Sequence, residues 1–264
     1  MHTEIGAPDT AGFSPSRRQL LATTGALFAA ADVGPAAAQP VRNTDPAATG
    51  ARQPNGALHR QKLVGFMLGH EQFTVPQLVE TGKMAAQAGF NLLATSDHFQ
   101  PWQANEGHCG EAWVTLGALG ERAQSGWMGT TVTCPTMRYH PAVVAQTFAS
   151  LALLYPGRVF LGVGSGEALN EQAATGAWPA WPERWERLAE AIEIIRALWT
   201  GEPVTHEGEL HKLHGAKMVF EKGRPYPIYI ASTGAQMLRL AGEIADGVLL
   251  SAGLTLASTK ACLA

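Results

Sequence analysis

A chain of 264 residues is long enough for one domain of about 250 residues, or for two smaller ones. A hydrophobic content of 46% with 16% charged residues fits a well-buried globular protein. The net charge of −3 gives no reason to expect nucleic acid or an anionic membrane surface as a partner. The three cysteines, Cys109, Cys134 and Cys262, form neither a disulfide framework nor a metal-binding pattern.

The first 38 residues have the features of an export signal. Arg17 and Arg18 are adjacent, a mild apolar run follows, and residues 36–38 are the small alanines that a signal peptidase needs. This predicts a twin-arginine signal over 1–38 and export to the cell envelope or a periplasm-like space, with a disordered basic tail as the alternative. The apolar run is too short to span a bilayer stably, so no integral membrane span is expected. Residues 39–60, rich in Pro, Gly, Asn and Gln, are predicted to be a disordered linker.

From Leu63 onward, strand and helix signals alternate. In chain order the predicted elements are strand 63–68, helix 74–88, strand 92–96, helix 112–123, strand 127–133, helix 141–154, strand 159–163, helix 183–198, strand 228–231, helix 236–243 and strand 247–250. Such nearly continuous apolar strands are typical of a parallel sheet that is covered on both faces. A closed barrel and an open doubly wound sheet compete, but no GxGxxG follows the first strand to mark a dinucleotide-binding open sheet.

Polar residues directly follow each of the first four strands. They are the pairs His70-Glu71, Asp97-His98, Thr133-Cys134 and Gly166-Glu167. In a barrel of parallel strands the chemistry lies at the C-terminal ends of the strands, so the four pairs favour one site at one mouth. Taken alone, His70-Glu71 is a weak signal, and a surface pair is the default interpretation.

The segment Ser-Asp-His-Phe-Gln-Pro-Trp, residues 96–102, is the sharpest of these signals. An Asp-His pair at a strand end supplies a base that titrates near neutral pH, with a carboxylate nearby. Trp102 offers a flat apolar wall for a ring. An inert loop capped by Asp97, with His98 packed away, is an equally open interpretation on spacing alone.

The segment Gly-Val-Gly-Ser-Gly-Glu-Ala-Leu-Asn-Glu, residues 162–171, is the second signal. Three glycines in five residues let the backbone approach a planar ligand closely. Glu167 stands at a predicted helix start, where the helix dipole stabilises a carboxylate, and Asn170 follows on the same face. A tight strand-to-helix turn is the alternative. No Lys-Ser/Thr follows, which excludes a Walker phosphate loop.

Together these segments resemble the coenzyme F420-dependent dehydrogenases of the luciferase-like superfamily, over about residues 63–251. The resemblance is strongest to the branch that acts on glucose 6-phosphate and to the twin-arginine-exported branch that acts on hydroxymycolic acid. It implies a luciferase-like (β/α)₈ barrel and a hydride transfer from a secondary alcohol to F420. It also implies a cis peptide bond at Thr131-Val132.

The resemblance implies a role for each site residue. His98 would take the proton of the alcohol, Glu167 would serve the proton at the ring nitrogen, and Trp102 would shape the pocket. Glu71 would be a supporting acid or an orienting group. The positions implied to bind the coenzyme are Asp97, Val132, Cys134, Asn170, Thr233, Gly234 and Ser251. No metal ligand is implied.

Two departures from the family pattern bear on the substrate and on the barrel. Leu254 stands where the sugar-phosphate branch has a phosphate-binding lysine, and it offers no charge or donor for a phosphate. A large apolar alcohol, such as a lipid of the envelope, is therefore the expected partner.

After about Gly253 the sequence no longer resembles the family, so we expect a truncated barrel domain over 61–254 without its last strand or two, and a divergent tail over 255–264.

Three functions remain open at this stage. The first is an F420-dependent alcohol dehydrogenase, which could form a homodimer. The second is an FMN-dependent luciferase-like monooxygenase, although the His98 and Glu167 pair suits alcohol oxidation better than oxygen activation. The third is an inactive truncated copy.

Overall fold

The computed structural model describes residues 62–218 and 226–250. The predicted signal over 1–38, the predicted linker over 39–60, the tail over 255–264, and the single positions Ser251 and Leu254 lie outside the described residues. Those expectations therefore stay predictions.

Strands and helices alternate through the described chain. The elements are β1 (Gly65–Leu68), α1 (Val75–Gln87), β2 (Leu92–Thr95), α2 (Ala112–Arg122), β3 (Trp127–Thr130), α3 (Pro141–Leu154), β4 (Val159–Val163), α4 (Ala168–Thr175), α5 (Trp181–Trp199), β5 (Val204–Glu207), β6 (Lys212–Ala216), β7 (Ile228–Ser232), α6 (Ala235–Ile244) and β8 (Gly247–Leu250). Every predicted strand and helix is present, and no end differs from its prediction by more than about three residues. No described helix has the length and apolar character needed to cross a membrane.

Six of the described strands form one parallel sheet in the order β1-β2-β3-β4-β7-β8. Within this sheet, the spatial order of the strands is the same as their order along the sequence. A doubly wound sheet would instead reverse its order at a switch point. The arrangement is that of a (β/α)₈ barrel, and the described residues supply six of its strands. The predicted barrel architecture is confirmed, and the open-sheet alternative is wrong.

The hydrophobic core lies between this sheet and the helices around it. Leu68, Leu93 and Leu161 face the helices, and each is no more than 1% exposed. They pack with fully buried residues of the helices, among them Leu116 of α2, Phe148 of α3 and Ile192 of α5. Burial of apolar area on this scale drives the assembly of the layers.

The opposite face of the sheet depends on small residues where neighbouring strands approach. A Cβ on Gly162 would lie 2.0 Å from the carbonyl oxygen of Thr130, and one on Gly129 would lie 2.2 Å from that of Phe160. No side chain fits at these distances. The glycines of the segment 162–166 therefore serve strand packing as well as the turn that follows.

Two features differ from the predicted elements. Strand β3 ends at Thr130 rather than Thr133. The predicted cis peptide bond at Thr131-Val132 is confirmed. Thr133 rejoins the sheet through a bridge to Val163. Strands β5 and β6 form an antiparallel hairpin, outside the main sheet, that the sequence pattern did not indicate.

Candidate active site

The loop after β1 places His70 and Glu71 inside the protein, so the expected surface pair is wrong. His70 is 0% exposed and Glu71 is 4% exposed. The backbone amide of His70 donates to Ser96 Oγ at 2.8 Å, and the two ring nitrogens lie 2.8 Å from Ser96 O and from Thr115 Oγ1. Burial lowers the pKa of His70, which keeps its ring neutral. These hydrogen bonds of His70 link the loop after β1 to the loop after β2.

Glu71 is the carboxylate that orients His98. Its Oε1 bonds Nδ1 of His98, a residue 27 positions later, and its Oε2 accepts a hydrogen bond of 3.1 Å from Ser96 Oγ. Burial raises the pKa of Glu71, but the hydrogen bonds from His98 and Ser96 outweigh it, and the net pKa is lowered. An ionised carboxylate on Nδ1 fixes the imidazole orientation and leaves Nε2 as the proton acceptor.

Asp97 is not the carboxylate partner of His98, as the adjacency of the two residues suggested. Its Oδ2 accepts from Thr133 Oγ1 at 2.6 Å, and its Oδ1 accepts from Arg138 at 3.0 Å and from Tyr139 Oη at 3.1 Å. Adjacent residues at a strand end point in different directions, so Asp97 lies below the mouth and is 4% exposed. The contact of Asp97 with a coenzyme stays a prediction.

Trp102 joins His98 to Glu167. Its ring packs against the imidazole of His98, with the centroids 4.7 Å apart and the two planes tilted by 49°. Its indole nitrogen donates a hydrogen bond of 2.8 Å to Oε2 of Glu167. The two titratable residues predicted to do the chemistry, His98 and Glu167, therefore lie at one mouth, although they are far apart along the chain.

Asn170 holds this arrangement from the first turn of α4. Its Oδ1 accepts hydrogen bonds from the backbone amides of Phe99 and Gln100, at 2.8 Å and 3.1 Å. Its Nδ2 donates to Oε2 of Glu167 at 3.3 Å. Asn170 is 2% exposed, so its amide is committed to the loop that carries His98 and Trp102. Its predicted coenzyme contact stays a prediction.

The other positions predicted to bind the coenzyme lie at the same end of the sheet. Val132 is half-buried beside the glycine segment, where its Cγ2 would lie 2.8 Å from a Cβ on Gly164. Cys134 is 3% exposed and lies below that segment, with its Sγ 3.0 Å from Thr136 Oγ1. Burial raises the pKa of the Cys134 thiol to about 12, so the thiol stays protonated. Thr233 and Gly234 are exposed where β7 leads into α6.

Arg138 and Tyr139 form the part of the site that reasoning from spacing missed. Both bond to Asp97, and Arg138 also pairs with Glu171, its Nε 3.5 Å from Oε1. The sequence offered only the match Arg138-Tyr139-His140-Pro141 to the family pattern, without a role. No group of three or more metal-ligating side chains occurs among residues 62–218 and 226–250.

These contacts build a mouth suited to proton transfer beside a flat apolar ring. An imidazole that a carboxylate orients through Nδ1 presents Nε2 as a proton acceptor. The loops after β1 and β2 carry exposed aromatic side chains: Trp102, which contacts His98, is 55% exposed, Phe99 is 54% exposed and Phe73 is 47% exposed. The exposed carboxylate of Glu167 is held by Trp102 and Asn170, and its part in proton transfer stays a prediction.

Comparisons with known proteins agree with this architecture. The family described as luciferase-like monooxygenase matches residues 58–264. The F420-dependent hydroxymycolic acid dehydrogenase of Mycobacterium tuberculosis is 50% identical over 189 residues, 72% of this chain and 52% of that protein. The F420-dependent glucose-6-phosphate dehydrogenase of Gordonia bronchialis is 46% identical over 192 residues, 72% of this chain and 57% of that protein. This chain thus spans about half the length of these curated relatives.

A solved structure shares the fold of the described chain. It is an F420-dependent secondary alcohol dehydrogenase in complex with an F420-acetone adduct, with a TM-score of 0.72 and 33% identity. The match covers 77% of this chain and 64% of that one. The F420-dependent tetrahydromethanopterin reductase of Methanopyrus kandleri has a TM-score of 0.61 and 25% identity, over 72% of this chain and 55% of that one.

Proposed function

Because the chain belongs to the luciferase-like monooxygenase family, we propose that it is a coenzyme F420-dependent oxidoreductase that removes a hydride from a secondary alcohol. The observation that carries the proposal is the contact set of His98, which is bonded to Glu71 and packed against Trp102 beside Glu167. The names of the relatives and of the solved structure support F420 as the coenzyme. When bound, the deazaflavin supplies the carbon that accepts the hydride.

His98 is the base of the proposed reaction. Removal of a hydride from a carbinol carbon leaves the alcohol proton to be taken up, and a positioned base contributes typically about 10²–10⁴-fold to the rate. The bond from Nδ1 to Glu71 leaves Nε2 free to accept that proton, and the carboxylate stabilises the imidazolium that results. Glu167 carries the second proton, and Trp102 and Asn170 hold its carboxylate in place.

The residues at the mouth fit a flat ring system. Gly164 is buried against Val132, since a Cβ on Gly164 would lie only 2.8 Å from Cγ2 of Val132, so this side of the mouth is closely packed and lined by backbone and Val132. Trp102 presents an exposed aromatic face next to His98. The residues that would hold the coenzyme are Val132, the glycine segment 162–166, and Thr233 with Gly234.

The proposed substrate is an apolar alcohol of the cell envelope. Phe73, Phe99 and Trp102 are exposed aromatic residues on the loops after β1 and β2, and they offer apolar surface rather than charge. The named substrate of the M. tuberculosis relative, a hydroxymycolic acid, has this chemistry. Export by the twin-arginine route and assembly as a homodimer belong to the same proposal.

Ligand titration followed by a turnover assay tests the proposal. Purified chain is titrated with F420 and, separately, with FMN, while intrinsic tryptophan fluorescence is recorded. The F420 complex is then mixed with secondary alcohols of increasing chain length, and loss of the deazaflavin absorbance is followed. Binding of F420 alone, with turnover, supports the proposal. Binding of FMN alone would replace it with the monooxygenase function, and binding of neither would indicate an inactive copy.

A further inference from the structure

We propose that Arg138 is a positioning residue that fixes the separation between the loop carrying His98 and the helix carrying Glu167. Arg138 lies in the loop between β3 and α3 and touches neither His98 nor Glu167 in any contact described above. It acts through their neighbours Asp97 and Glu171. Only the expected effect on turnover rests on the proposed function. The effect on the geometry of the site can be tested in the protein without coenzyme.

The first half of this connection is made to the loop after β2. One guanidinium nitrogen of Arg138 donates to both the backbone carbonyl of Asp97, at 2.9 Å, and its carboxylate, at 3.0 Å. Tyr139 and Thr133 donate to the same carboxylate. Since Asp97 precedes His98 directly, these bonds set the point at which the His98 loop leaves the sheet.

The second half is made to α4. The backbone amide of Arg138 donates to Oε2 of Glu171 at 3.1 Å, and its guanidinium Nε lies 3.5 Å from Oε1. Glu171 stands one helical turn after Glu167, on the same face of the helix. Its side chain also packs against Gly166, where a Cβ would lie 2.7 Å from Cγ of Glu171. The position of Glu171 therefore fixes both the glycine turn and the start of α4.

The side chain of Arg138 reaches both carboxylates at once, while the backbone amide bond to Glu171 does not depend on the side chain. A terminal nitrogen donates to Asp97, and Nε lies 3.5 Å from Oε1 of Glu171 as an ion pair without a hydrogen bond. The guanidinium is planar and presents its nitrogens in a rigid fork, so one cation can lie beside two different carboxylates. An ammonium group is a compact point charge and lacks this fork. Asp97 is 4% exposed and Glu171 is 1% exposed, so water does not replace a missing donor. Loss of the fork lets the two carboxylates separate.

The test uses the hydrogen bond between Trp102 and Glu167 as a spectroscopic signature. The indole N–H resonance of Trp102 is recorded by NMR in the coenzyme-free chain and assigned with Trp102→Phe. The Glu167→Ala variant gives the chemical shift of the Trp102 indole N–H when its hydrogen bond to residue 167 is absent. Arg138→Met leaves Asp97 and Glu171 without a cation and is at risk of unfolding, so Arg138→Lys, which keeps the charge, is the deciding variant.

A matched control separates this role from ordinary stabilisation. Arg158 also buries its guanidinium against backbone carbonyls, with Nε 2.9 Å from the carbonyl oxygen of Gly126, but at the opposite end of the sheet. Arg158→Lys is expected to lower the unfolding midpoint without moving the Trp102 resonance. Arg138→Lys is expected to keep the native circular dichroism spectrum and to move that resonance more than halfway to its position in Glu167→Ala.

A folded Arg138→Lys variant with the wild-type Trp102 resonance would overturn the inference. If the wild-type chain turns over alcohol, Arg138→Lys is also expected to lower kcat roughly 100-fold with little change in KM, the penalty typical of a misplaced catalytic group. A wild-type chain without turnover would count against the proposed function alone, because the NMR comparison does not use the coenzyme.

Discussion

The indole nitrogen of Trp102 donates a hydrogen bond of 2.8 Å to Oε2 of Glu167, and this bond joins the loop after β2 to the start of α4. The same indole packs against the ring of His98. One exposed side chain therefore connects the proposed base with the second proton-carrying group. Displacement of either loop would break this connection without disturbing the hydrophobic core.

His98→Gln is expected to abolish alcohol oxidation while coenzyme affinity stays close to wild type. Glutamine can keep a bond to Glu71 but cannot take up the alcohol proton, so kcat should fall by about 10²–10⁴-fold. The measurement is steady-state turnover, together with a fluorescence titration for F420. His214→Gln is the control, because the His214 side chain is 73% exposed on the β5–β6 hairpin. Unchanged turnover in His98→Gln would remove His98 from the proposed role.

The sequence predicted the barrel and the mouth because both follow from local signals. Apolar strands alternate with amphipathic helices, and the polar pairs stand where the strands end, as at His98 and Glu167. Parallel strands in consecutive order bring those ends together whatever the details of packing. The residues that the sequence grouped, Glu71, His98, Trp102 and Glu167, do make one connected set of contacts.

The sequence could not predict which polar group contacts which. Spacing suggested Asp97 as the partner of His98, whereas the register of β1 beside β2 brings Glu71 to it. The dual role of Arg138 depends on three loops meeting, which no local pattern encodes. The hairpin of β5 and β6 was missed because its short strands mix polar residues, such as His206 and Lys212, with few apolar ones.

Glu71→Gln is expected to remove a pH-dependent contribution to stability. The bonds from His98 and Ser96 bring the folded pKa of Glu71 below its ordinary value of 4.5 despite the opposing effect of burial. A depressed folded pKa adds stability above the unfolded pKa, and that stability is lost as the pH falls through the folded value. Urea midpoints should therefore differ most between the two proteins near neutral pH and converge as the pH falls below the ordinary pKa of 4.5 and through the lower folded value. A difference that is constant with pH would contradict the ionised carboxylate.

Gly162→Ala is expected to destabilise the sheet, whereas Gly117→Ala is not. The added methyl on Gly162 would lie 2.0 Å from the carbonyl oxygen of Thr130, and backbone must move to admit it. Overpacking of this kind costs typically about 1–3 kcal/mol. Gly117 lies inside α2 with nothing within 4 Å of its new methyl, so alanine there should gain up to about 1 kcal/mol. Thermal melts of both variants provide the comparison.

Replacement of the paired arginines Arg17 and Arg18 by lysines is expected to block export. The twin-arginine pathway reads this pair, and lysine keeps the charge without the guanidinium groups. The measurement is the fraction of the chain recovered outside the cytoplasmic membrane, before and after the change. Replacement of Arg52, a cation of the predicted linker, by lysine is the control. Equal export of the double variant and the control would contradict the predicted signal.

Trp102→Phe is expected to lower turnover much more than stability. Phenylalanine keeps an aromatic ring next to His98 but loses the donor to Glu167, so the carboxylate is no longer held by the loop after β2. Trp102 is 55% exposed, and truncation at an exposed site typically changes the free energy of unfolding by less than about 0.5 kcal/mol.

Trp181→Phe is a matched control, since the indole of Trp181 donates a hydrogen bond of 2.7 Å to Gln236, away from His98. We expect kcat to fall about tenfold or more in Trp102→Phe, the cost of losing one charge-assisted hydrogen bond, and to stay at the wild-type level in Trp181→Phe. Equal turnover in the two variants would show that the Trp102–Glu167 bond has no part in the reaction.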